Sequence, residues 1–210
     1  LYISAALKER DGKWGILKLD DVDDPAKFDP STMRVVLDPP PKSAFENSSV
    51  NASGYKDPFV IRIGDELQMF VTGTDYVERT YRFTSRDGLI WSPREPWPYI
   101  DNSGWHNFYT RTACVLPMSV GFLFVYEGSH MTWYDPVYNI ATGLGYSLDL
   151  SSVVDLSPNA PVLISSAVSE HYRTWRYSHW LPVGDKVYVY AEVYRPDGTH
   201  ELLGYILEDM

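Results

Sequence analysis

The chain has 210 residues, a net charge of −10, and 44% apolar and 15% aromatic residues. So many aromatic residues exclude a disordered chain, and the acidic balance disfavours a nucleic-acid binder, which needs a basic face. Because every apolar run is far shorter than the ~20 residues that cross a bilayer, we expect a soluble globular protein, either one domain or part of a larger one.

The predicted elements are almost all strands, because no segment keeps a helical apolar period for three turns and Gly and Pro recur throughout. Short segments rich in Val, Ile, Tyr, Phe and Trp predict twelve strands. In chain order they are Leu1–Leu7, Lys13–Leu19, Met33–Leu37, Phe59–Ile63, Glu66–Thr72, Thr80–Ser85, Arg111–Leu116, Gly121–Tyr126, Ala141–Ser147, Tyr177–Val183, Lys186–Tyr194 and Glu201–Leu207.

An internal repeat organises these strands. The Asp residues that close successive units, Asp20, Asp87, Asp149 and Asp209, stand 67, 62 and 60 residues apart. A repeat of this length with three or four strands is typical of a β-propeller blade, and the pairs Gly64-Asp65 and Gly184-Asp185 predict hairpin turns inside the units.

The fold class is therefore all-β. We expect one β-propeller domain or a portion of one, with blades near residues 1–45, 50–100, 105–165 and 172–210. The first unit lacks a first strand and the last stops after its third, so about three and a half blades are present. We favour an excerpt of a five-bladed protein of roughly 300 residues.

Cys114 is the only cysteine, so a disulfide within the chain and a cysteine-based zinc site are excluded. We expect its thiol to be a small buried group on a strand. The cysteine count does not fix the compartment, and we favour a secreted or periplasmic location over a cytoplasmic one.

Two motifs carry a resemblance to a known family. Lys56-Asp57-Pro58-Phe59-Val60-Ile61 before a Gly-Asp turn, and Ser85-x-Asp87-Gly88-x-x-Trp91, resemble the five-bladed propeller glycoside hydrolases. These are the arabinanase, β-xylosidase and arabinofuranosidase enzymes of glycoside hydrolase family 43, together with their invertase-like relatives. For Asp87 with Gly88 and Trp91, we expect a turn-forming role rather than a ligand contact.

The resemblance implies a funnel lined by the first strand of each blade and bearing catalytic carboxylates. Such enzymes need one protonated and one ionised carboxyl, ~6.5–9.5 Å apart when the reaction inverts the anomeric centre. By this resemblance, Asp57 matches the Asp of blade two that tunes the acid, while the base would lie on a first strand absent from this chain. The acid position falls at Arg111 or Thr112, so Glu127 is the nearest substitute and the second candidate catalytic residue. Alternatively, Asp57 could cap the turn before its strand and Glu127 could be a solvated strand end.

Arg111 and His179 are candidates for inward-facing positions. The Arg111 guanidinium could pair with Asp57, hold a sugar carboxylate, or form an ion pair between neighbouring blades, which we favour. For His179 we favour a buried, hydrogen-bonded side chain over one that faces a ligand on the axis. His106 and His130 lie in aromatic-rich loops, where they could contact a ligand or be exposed.

Aromatic residues in loops and at strand starts suit a carbohydrate site, because sugar C–H faces pack on aromatic rings. We expect packing between blades to explain about half of them. The predicted substrate-binding residues are Arg111, Trp105, Tyr109, His130, His179 and Trp180, and the other aromatic candidates are Trp97, Tyr99, Phe108, Trp133, Tyr134 and Trp175.

The predicted function is hydrolysis of an oligosaccharide or polysaccharide, with a carbohydrate as the partner, neither nucleic acid nor a membrane, and no cofactor. The resemblance leaves room for a structural calcium ion on the propeller axis. One alternative is a non-catalytic carbohydrate-binding or interaction propeller that has lost its acid residue. Another is a sialidase-like propeller, because the Asp87 motif resembles an Asp-box, which has one more residue between Asp and Gly.

Overall fold

A computed structural model describes residues 1–39, 54–75, 77–96, 98–165 and 174–208. Within these residues helical structure is limited to short 3₁₀ turns, and antiparallel strands form the rest of the regular structure. The chain divides into two compact units, Leu1–Tyr99 and Ile100–Met210.

The first unit contains β1 to β7 and the second contains β8 to β14. In the first unit, β1, β2 and β3 form one antiparallel sheet, while β4, β5 and β6 form another with β7 paired to β6. Their bounds are β1 Tyr2–Leu7, β2 Lys13–Lys18, β3 Arg34–Leu37, β4 Tyr55–Ile63, β5 Glu66–Asp75, β6 Val77–Ser85 and β7 Ser92–Arg94.

In the second unit, β8 to β11 pair in chain order, and so do β12 to β14. Their bounds are β8 Tyr109–Pro117, β9 Phe122–Ser129, β10 Ala141–Ser147, β11 Val154–Asp155, β12 Trp175–Val183, β13 Lys186–Tyr194 and β14 His200–Leu207. Runs of three or four antiparallel strands, paired in chain order and repeated along the chain, form the blade pattern that the sequence predicts.

All twelve predicted strands are present. Ala141–Ser147 and Lys186–Tyr194 have the predicted bounds, and the others begin or end within four residues of them. The two Gly-Asp turns are also confirmed, since the pairs Ile63↔Glu66 and Val183↔Lys186 flank them. The short strands β7 and β11 were not predicted, because three and two residues carry no readable alternation.

Alternating side chains build the cores. In β13, Val189, Ala191 and Val193 are buried on one face, whereas Tyr190 on the other face is exposed. Since successive strand residues point to opposite faces, this period of two sets which face of the sheet is covered. In the first unit the buried cluster is Ile16, Leu37, Tyr55, Met69, Val71, Tyr81, Phe83 and Trp91.

The Asp87 motif forms a turn, as expected. The Asp87 carboxylate accepts hydrogen bonds from the amides of Leu89 (2.8 Å) and Ile90 (2.9 Å), and Ser85 Oγ donates to it (3.0 Å). These donors, the Ile90 amide first, lower the pKa of Asp87 because they stabilise its ionised form. The Trp91 indole donates to the Gly88 carbonyl at 3.3 Å, which closes the turn.

Candidate functional site

An extra residue interrupts three strands, β4, β8 and β12, each of which begins a run of antiparallel strands paired in chain order. The pairing of β4 with β5 shifts between Lys56 and Phe59, that of β12 with β13 between Arg176 and His179, and that of β8 with β9 between Thr112 and Cys114. Such β-bulges locally redirect the backbone and are common beside functional sites.

Two of these bulges hold a residue other than glycine in the left-handed region. Asp57 has φ 51° and Tyr177 has φ 52°. The left-handed conformation costs ~1–2 kcal/mol for an L-residue, and a bulky aromatic side chain adopts it only when its surroundings enforce it. Backbone strain of this kind concentrates at binding and catalytic positions.

Asp57 lies at the start of β4 and is partly exposed. Its amide lies 3.4 Å from the hydroxyl oxygen of Ser4 in β1, and β1 packs on β4. The next residue, Pro58, has no N–H to contribute to the ladder, which fits the interruption of pairing at this point. The first candidate catalytic residue therefore occupies a strained, accessible strand position.

Glu127 is completely buried and lies opposite Arg111 in the register of β8 and β9. Arg111 Nε and Nη2 lie 2.6 and 2.5 Å from Glu127 Oε2. The other oxygen, Oε1, accepts a hydrogen bond of 2.8 Å from the backbone amide of Ser178 in β12. A guanidinium at this distance stabilises the ionised carboxylate, whereas a general acid must carry a proton.

Arg111 also lies over two tyrosine rings. Its Cζ atom lies 4.2 Å from the ring centroid of Tyr177 and 5.1 Å from that of Tyr109, and Nη1 donates to the Tyr109 hydroxyl at 3.3 Å. Because its partner Glu127 is in the same sheet, Arg111 forms an ion pair within one blade, where we expected one between neighbouring blades.

A second polar network lies on the opposite face of the same sheet. His106 Nε2 contacts Asp155 Oδ2 at 3.0 Å, and the Tyr126 hydroxyl donates to Asp155 Oδ1 at 2.8 Å. Trp105 stacks on Tyr126 with ring centroids 5.9 Å apart. His106 is only 1% exposed, so the alternative of an exposed side chain is wrong.

The structure separates the remaining aromatic candidates into two groups. Tyr99, Trp105, Tyr109 and Trp175, half of the eight described, are buried, and the packing of such residues between blades stays a prediction. Tyr134 is 60% exposed, whereas Phe108, Trp133 and Trp180 are partly exposed. Trp97 and Asp209 lie outside the described residues.

His179 is exposed, so the expectation of a buried histidine is wrong. It follows Ser178 after the bulge and therefore points to the face opposite Trp180. Trp180 donates from its indole nitrogen to Ser178 Oγ at 3.3 Å, and His130 contacts Thr132 at 2.8 Å through Nδ1. The binding roles of His130, His179 and Trp180 stay predictions.

Cys114 is buried on β8, as expected, and burial raises the pKa of its thiol to about 12. The residues described contain no group of three His, Cys, Asp or Glu side chains that could hold a metal ion. Nor do they contain a helix long and apolar enough to cross a membrane.

An apolar cavity of about 340 Å³ lies in the second unit. Two of its lining residues, Ser165 and Tyr205, carry a hydroxyl group. The other lining residues are Leu163, Ile164, Trp175, Trp180, Val189, Val193, Leu203 and Leu207.

Sequence comparison identifies no relatives: no protein-family profile matches the chain, and no curated protein does. Solved structures do match. A GH32 β-fructofuranosidase from Bombyx mori superposes with a TM-score of 0.60 and 19% identity over 93% of this chain and 39% of its own. A variant of that enzyme in complex with sucrose gives a TM-score of 0.51 and 20% identity over 71% and 33%.

An α-L-arabinofuranosidase from Lactobacillus brevis matches with a TM-score of 0.64 and 13% identity over 94% of this chain and 64% of its own. The chain thus spans between a third and two thirds of the length of these three structures. The likeness confirms the fold class predicted from the sequence: the chain is all-β and has the β-propeller fold of these structural neighbours.

Proposed function

We propose that the protein acts on carbohydrate as a glycoside hydrolase-type propeller, to which this chain contributes the carboxylate of Asp57. The observation that supports the proposal most directly is the placement of Asp57. It is a partly exposed carboxylate in a left-handed conformation, at the bulge of a first strand. A residue that only capped a turn would not need a strained position inside a nine-residue strand.

The proposed role of Asp57 is electrostatic. An ionised carboxylate near a second carboxyl group disfavours ionisation of that group, so the second group keeps the proton that a leaving glycosidic oxygen requires. This is the role that the resemblance gives to the Asp of blade two. The fold supports it, since the structural neighbours include a β-fructofuranosidase solved with sucrose and an α-L-arabinofuranosidase.

Glu127 is the weaker of the two catalytic candidates. It is 0% exposed, and both of its oxygens are engaged, one by Arg111 and one by the Ser178 amide. Proton transfer from Glu127 to a sugar would require this arrangement to open. We therefore propose that Glu127 is the structural partner of Arg111 and not the acid of the reaction.

A second candidate function is carbohydrate binding without turnover. Counting back six residues from the last pair before each two-residue hairpin turn gives Asp57 in β4 and Tyr177 in β12, which both lie in the bulges. Only one of these two equivalent positions therefore carries a carboxylate. A propeller that keeps its aromatic and polar ligand contacts but lacks an accessible acid would bind sugars without cleaving them.

The experiment is hydrolysis of aryl α-L-arabinofuranosides, β-D-xylosides and β-fructosides by the full native protein, beside its Asp57→Asn variant. Asp65→Asn is the matched control, because Asp65 is an exposed residue in the hairpin that follows the same strand. Loss of turnover in Asp57→Asn alone would support catalysis. Sugar binding by calorimetry without turnover would favour the second candidate, and neither binding nor turnover would refute both.

A further inference from the structure

The bulge in β12 presents one aromatic side chain that the sequence did not single out. Tyr177 occupies the same register position as Asp57, six residues before the last pair of its hairpin, and has nearly the same φ, 52° against 51°. Its side chain is 49% exposed. Tyrosine, unlike aspartate, rarely adopts this conformation, so the surroundings must enforce it.

The neighbouring contacts explain how Tyr177 is held. The bulge releases the Ser178 amide from the strand ladder, and that amide donates to Glu127 Oε1 at 2.8 Å. Glu127 is fixed in turn by Arg111, whose guanidinium lies 4.2 Å from the Tyr177 ring centroid. The buried ion pair thus holds both the backbone beside Tyr177 and the ring itself.

The Tyr177 ring also lies beside a second guanidinium, that of Arg176, at 5.1 Å. Arg176 is itself paired with Glu192, with Nη2 and Oε1 2.6 Å apart. Each arginine next to Tyr177 therefore has its own carboxylate. The charge around the ring is balanced, which does not favour an anionic ligand over a neutral one.

The Tyr177 hydroxyl has no hydrogen-bond partner among the residues that the structure describes, whereas the hydroxyls of Tyr2, Tyr109, Tyr126 and Tyr146 all have one. A phenol can both donate and accept a hydrogen bond, and its ring packs on apolar C–H groups. Sugar hydroxyls and sugar C–H faces offer both kinds of contact.

We infer that Tyr177 is a ligand-contacting residue for neutral sugars, and that Arg111 and Glu127 are the residues that position it. This inference rests on the proposed carbohydrate function and narrows its ligand class to uncharged glycans. It also gives Arg111 a role other than holding a sugar carboxylate, because three of its nitrogens already contact Glu127 and Tyr109.

The test is calorimetric binding of neutral and uronic-acid oligosaccharides to the full native protein and to Tyr177→Phe, which removes only the hydroxyl. We expect binding of the best neutral ligand to weaken about three- to tenfold, as the loss of one hydrogen bond predicts. Tyr188→Phe is the matched control: Tyr188 lies in the same sheet, is partly exposed and does not line the cavity, and the change should leave affinity unaltered.

The positioning role is tested by combining Tyr177→Phe with Glu127→Gln, well below the unfolding temperature of every variant. If Glu127 acts through Tyr177, the double variant binds no more weakly than the weaker single variant, whereas a purely structural Glu127 leaves the affinity of the folded protein unchanged.

The outcomes separate this inference from the function on which it rests. Neutral sugars bound equally by the wild type and Tyr177→Phe would overturn the inference and leave the proposed function standing. Tighter binding of uronic-acid ligands than of neutral ones would overturn the ligand class. A wild-type protein that binds no sugar would overturn both the function and the inference.

Discussion

The buried pair of Arg111 and Glu127 should dominate the stability of the second unit. The two side chains are 3% and 0% exposed. Glu127→Gln removes the negative charge and leaves the Arg111 guanidinium buried without a counter-charge. Breaking a buried ion pair in this way typically costs about 3–5 kcal/mol, whereas removing both charges together costs much less.

The assay is a double-mutant cycle of Glu127→Gln, Arg111→Met and the double variant, followed by urea unfolding. At about 2–4 °C per kcal/mol for a domain of this size, each single variant should also lower the Tm by roughly 6–20 °C. The free energy of unfolding of the double variant should be well above the value expected from adding the losses of the two single variants.

An exposed pair provides the control. Arg195 Nη1 and Glu201 Oε2 are 3.0 Å apart, but their side chains are 48% and 38% exposed. Solvent screens such pairs, so Glu201→Gln should cost no more than about 1 kcal/mol. If Glu127→Gln costs as little as Glu201→Gln, or if the cycle is additive, the buried pair does not stabilise the second unit.

Three further predictions concern single positions. Cys114 should resist alkylation by iodoacetamide at pH 8 in the folded protein, because burial raises the pKa of its thiol to about 12. The thiol should react once urea unfolds the chain, whereas rapid labelling of the folded protein would contradict its burial. Gly128→Ala should lower the urea midpoint, costing about 1–3 kcal/mol, because the new Cβ would lie 2.4 Å from the His106 Cβ, whereas Gly204→Ala, with its nearest atom at 3.5 Å, should be tolerated. The pKa of Asp87 is lowered, so the stabilisation by its ionised carboxylate is complete above the ordinary pKa of 3.8 and disappears as the pH falls through the lowered pKa of the folded protein. The difference in Tm between wild type and Asp87→Asn should therefore shrink in acid. A difference that stays constant would argue against an ionised carboxylate in this turn.

The strands and turns could be predicted because their signals are local. In β13, Val187 to Val193 alternate with polar and aromatic residues, and Gly184-Asp185 marks the turn before them. The resemblance also identified Asp57 as a candidate residue, because an Asp-Pro pair at the start of a strand can be recognised within one short segment.

The pairing of Arg111 with Glu127 could not be predicted, because it depends on register. The bulge at Ala113 shifts the cross-strand partner of every earlier residue in β8 by one position. A bulge leaves no clear signal in a single sequence. The left-handed conformation of Tyr177 could not be predicted for the same reason. An alignment of the two Gly-Asp turns, however, gives Tyr177 the position equivalent to Asp57.

His106 was misjudged because it follows a polar, glycine-containing segment that is typical of a surface loop. The chain instead folds a 3₁₀ turn at Gly104–His106 against Gly128 of β9. Gly128 was the available signal, since a glycine inside a strand often marks the close approach of another segment of backbone or side chain.

The recurrence of one bulge in different sheets has a consequence for engineering. At the same register position the chain carries a carboxylate in Asp57 and a phenol in Tyr177. The extra residue stands outside the ladder of cross-strand pairs, so its side chain can change with little effect on those pairs. Libraries limited to side chains that tolerate the left-handed region, such as Asn, Asp, His and Gly, could therefore vary ligand preference at these two positions while most members still fold.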